Sequence, residues 1–167
     1  MNKIIFPMML VVLAMMLLLS FNAYACDEER LTVNLASHHF SEEDYNEKNY
    51  GLGITCKKDY MIYSGGAYRN SFEEVSAYAS VGVEAMDERF GAAISLMAVG
   101  GYEDHVEDAK PVSLVPLPEF IYRYKKHSLR VGYVPSVGES DGVATLRYEY
   151  LLPIKKGSTK YMFTPGW

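Results

Sequence analysis

Several kinds of residue are scarce in this 167-residue chain, and each scarcity excludes a class of protein. Two cysteines are too few for a disulfide scaffold and, by themselves, for a four-ligand zinc site. Lysine and arginine total 16 against 21 acidic residues, and this net charge of -5 argues against electrostatic binding of nucleic acid. What is present is a 49% share of hydrophobic residues, which indicates one folded domain rather than a disordered chain.

The longest apolar run stands at the N-terminus. It extends from Ile4 to Leu19, follows a single positive charge at Lys3, and closes with Ala23-Tyr24-Ala25. This pattern is typical of a secretory signal peptide, so we expect residues 1–25 to be removed. An uncleaved membrane anchor is the alternative, but the run is shorter than the ~20 residues of a spanning helix, and Pro7 interrupts it.

Both cysteines, Cys26 and Cys56, belong to the 142 residues that remain when 25 are removed from 167. Secretion places them in a compartment that permits disulfides. A bridge would tie the new N-terminus to an early strand, and the alternative is that both stay unpaired. Lipidation of Cys26 is a third interpretation, but Ala23 occupies a position where lipoprotein signals usually carry leucine.

No helical period follows residue 26, and eight runs rich in Val, Ile, Tyr and Phe alternate in polarity instead. In the last run, Leu146 and Tyr148 share one face while Arg147 and Glu149 share the other. Stripes of this kind fit a membrane barrel if the apolar face points outward, and they fit a soluble barrel if the apolar face points inward. The predicted strands lie near residues 31–39, 50–57, 59–69, 76–86, 89–99, 112–124, 127–135 and 142–151.

The connections between these runs alternate in length, as they do in outer-membrane barrels with short periplasmic turns and long outer loops. We therefore predict an all-β, eight-stranded antiparallel up-and-down transmembrane β-barrel over residues 26–151, followed by a tail at 152–167, in the outer membrane. A soluble, lipocalin-like periplasmic barrel is the alternative. The short connections fall at 57–59, 87–88 and 125–126, and the long ones at 41–49, 70–75, 100–111 and 135–141.

Two of the long loops are acidic, near residues 42–47 and 103–108. Mg²⁺ or Ca²⁺ could bridge such loops to lipid phosphates, but the pattern is that of a solvated face rather than a metal site. We therefore predict no metal centre and no cofactor.

The loop pattern brings together residues that are distant in the sequence. His38 and His39 end the first strand, while Asn70 and Ser71 follow the third, so both sets belong at the outer end of the barrel. An imidazole that reaches a hydroxyl can take its proton and activate it for acyl transfer. We predict that His39 and Ser71 are catalytic and that Asn70 orients the ring, as a third group does in catalytic triads. The alternative is that His39 ends a strand and Asn70-Ser71 form a polar turn.

Prolines interrupt two neighbouring strands. Pro116 and Pro118 lie in strand six, and Pro135 ends strand seven. Because proline cannot donate a hydrogen bond to a sheet, we expect a gap in the barrel wall through which a lipid could enter sideways.

Five motifs together resemble the outer-membrane lipid A palmitoyltransferase family, and the likeness runs from about residue 37 to residue 151. The same pattern also resembles uncharacterised bacterial and phage proteins. The motifs are Tyr45-Asn46-Glu47, Gly51-Leu52-Gly53, Gly66-Ala67-Tyr68-Arg69-Asn70-Ser71, Pro116-Leu117-Pro118 and Gly132-Tyr133-Val134-Pro135.

The resemblance implies a monomeric barrel that moves a palmitoyl-like chain from a phospholipid to lipid A without a cofactor. It also implies an apolar interior pocket that measures the chain. His39 and Ser71 match the family's histidine and serine, while Asn70 stands where the family has aspartate. Tyr45, Asn46, Glu47 and Tyr68 are the substrate-binding residues that the resemblance implies.

Two other functions use the same fold. One is a non-enzymatic barrel whose outer loops bind a surface or partner, and the other is a lipid A deacylase or phospholipase that uses the same residues with water as acceptor. The interior distinguishes them, because an apolar pocket below His39 favours acyl handling. An interior filled by Arg123, Arg130, Arg147 and Glu149 favours a structural barrel.

Overall fold

The fold is a closed barrel of eight antiparallel strands, as the alternating polarity predicts. The computed structural model describes residues 26–41, 45–102, 111–136 and 142–153. Each strand is hydrogen-bonded to the next in sequence, and β8 pairs with β1 to close the sheet. The predicted signal peptide, the acidic stretches 42–44 and 103–110 and most of the predicted tail lie outside the described residues. No helix long and apolar enough to cross a membrane occurs in these ranges.

All eight predicted strands are present, and their bounds agree with the prediction within three residues. The largest difference is at the first strand, which begins at Glu28 rather than near residue 31 because Arg30 points into the barrel. The strands are β1 (Glu28–His39), β2 (Gly51–Lys58), β3 (Met61–Arg69), β4 (Val75–Met86), β5 (Phe90–Gly100), β6 (Ser113–Tyr124), β7 (His127–Val134) and β8 (Val143–Leu151).

The three short connections lie at one end of the barrel, which we call the short-turn end. The β2–β3 and β6–β7 connections have two residues each, between the paired ends Lys58↔Met61 and Tyr124↔His127. Both use a residue with positive φ, Asp59 at 52° and Lys125 at 55°. The long connections lie at the opposite, outer end, where β1 and β3 finish.

Apolar side chains cover the outside of the barrel, and the inside is mainly polar, with a small apolar cluster of Ile62, Ala93 and Ile121. This is the reverse of a soluble barrel, whose buried face is apolar. The exposed exterior includes Leu52, Val81, Val83, Phe90, Ile94, Leu96, Leu114, Phe120, Tyr122, Leu129, Val131 and Tyr133. The buried interior includes Arg30, Thr32, Thr55, Ser76, Glu84, Ser95, Glu119, Ser128, Arg130, Arg147 and Glu149.

Ion pairs hold this interior together. The Glu84 carboxylate lies 2.7 Å from Arg30 and 3.0 Å from Lys57, and it also pairs with Arg123 and Arg130. Because lone charges inside a protein are costly, such groups occur paired. We call this set the interior network: Glu28, Arg30, Lys57, Glu84, Glu119, Arg123, Arg130, Arg147 and Glu149.

A disulfide joins Cys26 to Cys56, so the bridged alternative is the one that the structure contains. The bridge uses the sulfur that lipidation would modify, and it therefore excludes the lipoprotein interpretation for this state of the chain. The adjacent Asp27 reinforces the attachment, because its backbone N–H donates to the Lys57 carbonyl and its carboxylate accepts from the Asp59 N–H.

Candidate functional site

His39 and Ser71 lie in hydrogen-bond contact at the outer end of the barrel. His39 is the last residue of β1, and Ser71 is the second residue of the loop after β3. The His39 Nε2 atom is 2.7 Å from the Ser71 Oγ atom, and the serine is 8% exposed while the histidine is half-buried. A hydroxyl at this distance from an imidazole nitrogen has the geometry needed for proton removal. Their catalytic role stays a prediction.

Aromatic rings surround the His39–Ser71 pair. Tyr45 packs against the His39 ring with 4.4 Å between centroids, and Phe72 packs edge-on against Tyr45 at 5.6 Å. Tyr102, after β5, contacts Phe72 in turn at 6.1 Å. Tyr45 therefore lies where the prediction put it, whereas Phe72 and Tyr102 were missed. Phe72 directly follows Ser71 in the sequence, and this adjacency was the available signal.

Asn70 does not orient the histidine ring, which corrects the role predicted for it. Its Oδ1 atom accepts hydrogen bonds from the backbone N–H groups of Phe72 and Glu74. Its Nδ2 atom donates to Ser76 Oγ at 3.1 Å and to the Gly101 carbonyl at 2.8 Å. These four bonds use the full capacity of an amide side chain. Asn70 therefore shapes the loop that carries Ser71 and acts on the site only through that loop.

Asn46 and Glu47 lie next to the pair but point to other partners. The Asn46 backbone N–H donates to the Ser71 carbonyl, which ties the loop before β2 to the loop after β3. The Glu47 carboxylate pairs with His38 at 2.5 Å on the exposed surface, and the Asn46 side chain bonds to the backbone of Lys48. Their predicted substrate contacts stay a prediction.

Tyr68 points into the barrel near its outer end, and its predicted contact with substrate stays a prediction. Its hydroxyl is 2.8 Å from that of Tyr102, and its ring contacts Tyr78. The Tyr78 side chain packs directly over Gly53 and Gly66. A β-carbon at Gly53 would lie 2.5 Å from the Tyr78 hydroxyl, and a β-carbon at Gly66 would lie 3.0 Å from the Tyr78 ring, so both positions need glycine. Burial raises the pKa of the Tyr102 phenol, although its bond with Tyr68 opposes this, so the hydroxyl stays protonated at neutral pH.

These tyrosines and the interior network occupy the inside of the barrel where the resemblance implies an apolar pocket. Two clefts lie elsewhere. One, of about 290 Å³, is an apolar groove in the outer wall that includes Tyr60, Val83 and Ile94. The other, of about 310 Å³, opens at the short-turn end. Arg130, Arg147 and Glu149 thus lie buried inside the barrel, as the structural-barrel alternative predicts.

The barrel wall is incompletely paired at its outer end. The β6–β7 ladder stops at Glu119↔Gly132, although β6 pairs with β5 as far as Ser113 and β7 pairs with β8 as far as Val134. Pro116 and Pro118 lie in the β6 segment that has no β7 partner, as the proline pattern predicts. The gap is lined on the inside by Leu117, whose side chain is buried and approaches Gly132.

A metal centre is not evident in the described ranges, since no group of three or more His, Cys, Asp or Glu side chains there is arranged to hold an ion. No family model matches the chain, and no curated protein matches it significantly. The resemblance to the lipid A palmitoyltransferases therefore rests on the motifs alone.

Proposed function

We propose that this protein is an outer-membrane barrel that transfers or hydrolyses an acyl ester of a membrane lipid at its outer end. The observation that carries this proposal is the 2.7 Å contact between His39 Nε2 and Ser71 Oγ. The two residues are 32 positions apart in the sequence, and the pairing of β1 with β2 and of β2 with β3 brings the end of β1 and the loop after β3 together.

The membrane location rests on the distribution of polarity. An apolar exterior around a charged interior is stable in lipid and costly in water, because an exterior of this composition would leave a large apolar area hydrated. The predicted signal peptide would provide the route, and the alternation of short and long connections supports an orientation with the short-turn end toward the periplasm. The His39–Ser71 pair would then face the outer leaflet, where lipid A and phospholipid substrates would meet it.

The chemistry follows from the contact. Neutral His39 accepts the Ser71 proton at Nε2 as the Ser71 oxygen attacks the acyl carbonyl. The ester C–O bond breaks, the departing lipid alkoxide takes the proton from His39, and an acyl-serine remains. A second hydroxyl then repeats the sequence in reverse and regenerates Ser71. When that hydroxyl belongs to lipid A the protein is an acyltransferase, and when it belongs to water the protein is a deacylase or phospholipase.

The filled interior determines where the acyl chain lies in this proposal. Tyr68 and Tyr78 occupy the space inside the outer half, and the interior network lies closer to the short-turn end. The substrate's chains therefore stay in the bilayer beside the β6–β7 gap, with only the ester reaching the pair. We accordingly propose acyl-ester chemistry without the chain-length selection that an interior pocket would give.

Mass spectrometry of lipid A and phospholipids tests the proposal directly. Cells expressing the protein should gain lipids carrying one extra acyl chain if it transfers, or lose a chain if it hydrolyses. Ser71→Ala and His39→Ala should abolish the change while the barrel still inserts. Ser136→Ala is the matched control, because Ser136 is an exposed serine beyond β7, and it should behave like the unaltered protein. Unchanged lipids from a correctly inserted protein would overturn the proposal.

A second candidate function has its own support. The interior network fills the barrel with ion pairs, which is the arrangement expected of a non-enzymatic structural barrel whose outer loops bind a surface or partner. That function predicts unchanged lipids in the experiment above. It also predicts that Ser71→Ala leaves every phenotype of the protein intact.

A further inference from the structure

A basic cleft at the short-turn end has no role in the acyl-ester chemistry. We propose that it binds the phosphate of an anionic phospholipid headgroup in the leaflet opposite the His39–Ser71 pair. This inference rests on the membrane orientation given under the proposed function. It adds a second lipid contact on the other side of the barrel, independent of whether the outer end is catalytic.

The cleft lies between the β4–β5 and β6–β7 connections. It has a volume of about 310 Å³ and is lined by Glu88, Arg89, Arg123, Tyr124 and Lys125. The Arg123 backbone N–H donates to the Arg89 carbonyl at 2.7 Å, which fixes the two connections against each other. The Lys125 ammonium lies 5.3 Å from the centre of the Tyr124 ring. A phosphate group is small enough to enter such a space with several donors around it.

The charge of the cleft favours an anion. Three cations line it against a single carboxylate, Glu88. In the part of the chain that the structure describes, neither Arg89 nor Lys125 forms an ion pair. Both are exposed at the barrel rim, where an arriving headgroup can reach them.

Arg123 adds positive charge from the interior side. Its guanidinium is 3.3 Å from Glu28 and 3.5 Å from Glu84, but Arg30 shares both of those carboxylates. The interior network as a whole contains five cations against four carboxylates. One positive charge is therefore left over, and Arg123 is the member of the network that lines the cleft.

The surroundings of the cleft favour a lipid over free phosphate. Phe90 follows Arg89 directly and is exposed on the outer wall, where it packs against Tyr122 at 5.4 Å and Phe120 at 6.0 Å. Aromatic rings at this level are typical of the boundary between headgroups and acyl chains. A phosphate held by Arg89 and Lys125 would place its acyl chains along these rings. Arginine can hold a phosphate through two parallel hydrogen bonds, and lysine adds a point charge.

The test is native mass spectrometry of the full protein in detergent micelles, titrated with phosphatidylglycerol or with zwitterionic phosphatidylcholine. We expect tighter binding of phosphatidylglycerol, and Arg89→Gln combined with Lys125→Gln should weaken it by about tenfold or more, since two charge-assisted contacts are lost. The control is Lys58→Gln with Lys126→Gln, which removes the same charge from the same rim outside the cleft. The affinity of this control variant for phosphatidylglycerol should stay within about twofold of that of the unaltered protein, as expected when the removed charges do not contact the lipid.

Three results would overturn the inference. They are equal binding of the two lipids, equal losses in the two double variants, and displacement of phosphatidylglycerol by millimolar inorganic phosphate, which would indicate a phosphate site rather than a lipid site. The outcome is separable from the proposed function because it needs neither activity nor a cell membrane. Ser71→Ala should bind phosphatidylglycerol like the unaltered protein, whatever its effect on lipid A.

Discussion

At the scale of single residues, the loop that carries Ser71 depends on its neighbour. Asn70 is fully buried and satisfies two backbone donors and two acceptors from three separate segments of chain. An aspartate there would keep the two accepted bonds, but its carboxylate would face the Gly101 carbonyl in place of the N–H donor. The amide is thus suited to this loop in a way that the related acid is not.

This account predicts the effects of two substitutions. Asn70→Ala should lower the free energy of unfolding by about 2–4 kcal/mol, because several buried polar groups lose their partner. Asn70→Asp should also be less stable than the unaltered protein, through repulsion at the Gly101 carbonyl. Urea unfolding in detergent micelles measures both, with Asn46→Ala as the comparison, since Asn46 is a half-buried residue whose side-chain amide bonds to Lys48 in its own loop. An Asn70→Asp variant as stable as the unaltered protein would contradict the assigned hydrogen-bond roles.

The Ser71 contact shows what residue-level reasoning from sequence can and cannot reach. Strand order and loop length are enough to put His39 and Ser71 at one end of the barrel. They do not reveal that the Asn70 side chain turns into its own loop, because that choice depends on Ser76 in β4 and on Gly101 just after β5. The contact of Tyr102 with Phe72 was hidden for the same reason, because Tyr102 follows β5.

At the scale of elements, the strands were predictable because each one alternates between outward-facing apolar side chains and inward-facing side chains that are mostly polar. The rule fails where both faces carry charge. Glu28, Glu29 and Arg30 begin β1 but look like a loop in the sequence, and only the pairing of Arg30 with Glu84 explains why they are in the sheet. Because these two residues are 54 positions apart, no local pattern reveals their contact.

The attachment of β1 to β2 leads to a prediction about stability. Replacing both Cys26 and Cys56 by serine should lower the free energy of unfolding by about 3 kcal/mol, as expected for a bridge that closes a loop of this size. The two residues are 30 positions apart in the chain. Urea unfolding with and without a reductant measures the effect. The reductant should destabilise the unaltered protein and leave the double variant unchanged, and equal effects on both would contradict the structural role of the bridge.

At the scale of the whole molecule, the contrast between a charged interior and an apolar exterior is the observation that supports the proposed membrane barrel over a soluble one. Alternation along a strand cannot make this decision, because it is the same for both. Closure of the barrel decides which stripe faces inward, and the buried Arg130, Arg147 and Glu149 show that here it is the polar one. Leu96 belongs to the opposite stripe, half exposed on the outer wall between Val81 of β4 and Pro116 of β6.

A charge on this outer wall distinguishes the two environments. In a bilayer, Leu96→Lys should lower the free energy of unfolding by about 2–4 kcal/mol, because the ammonium would lie near the centre of the hydrocarbon layer. Val112→Lys, at the outer rim just before β6, should cost no more than about 1 kcal/mol, since depth in the membrane sets the penalty. Urea unfolding from phospholipid vesicles measures both values. In a soluble barrel each lysine would be hydrated and the two variants would be equally stable, so an equal effect would refute insertion of this wall into lipid.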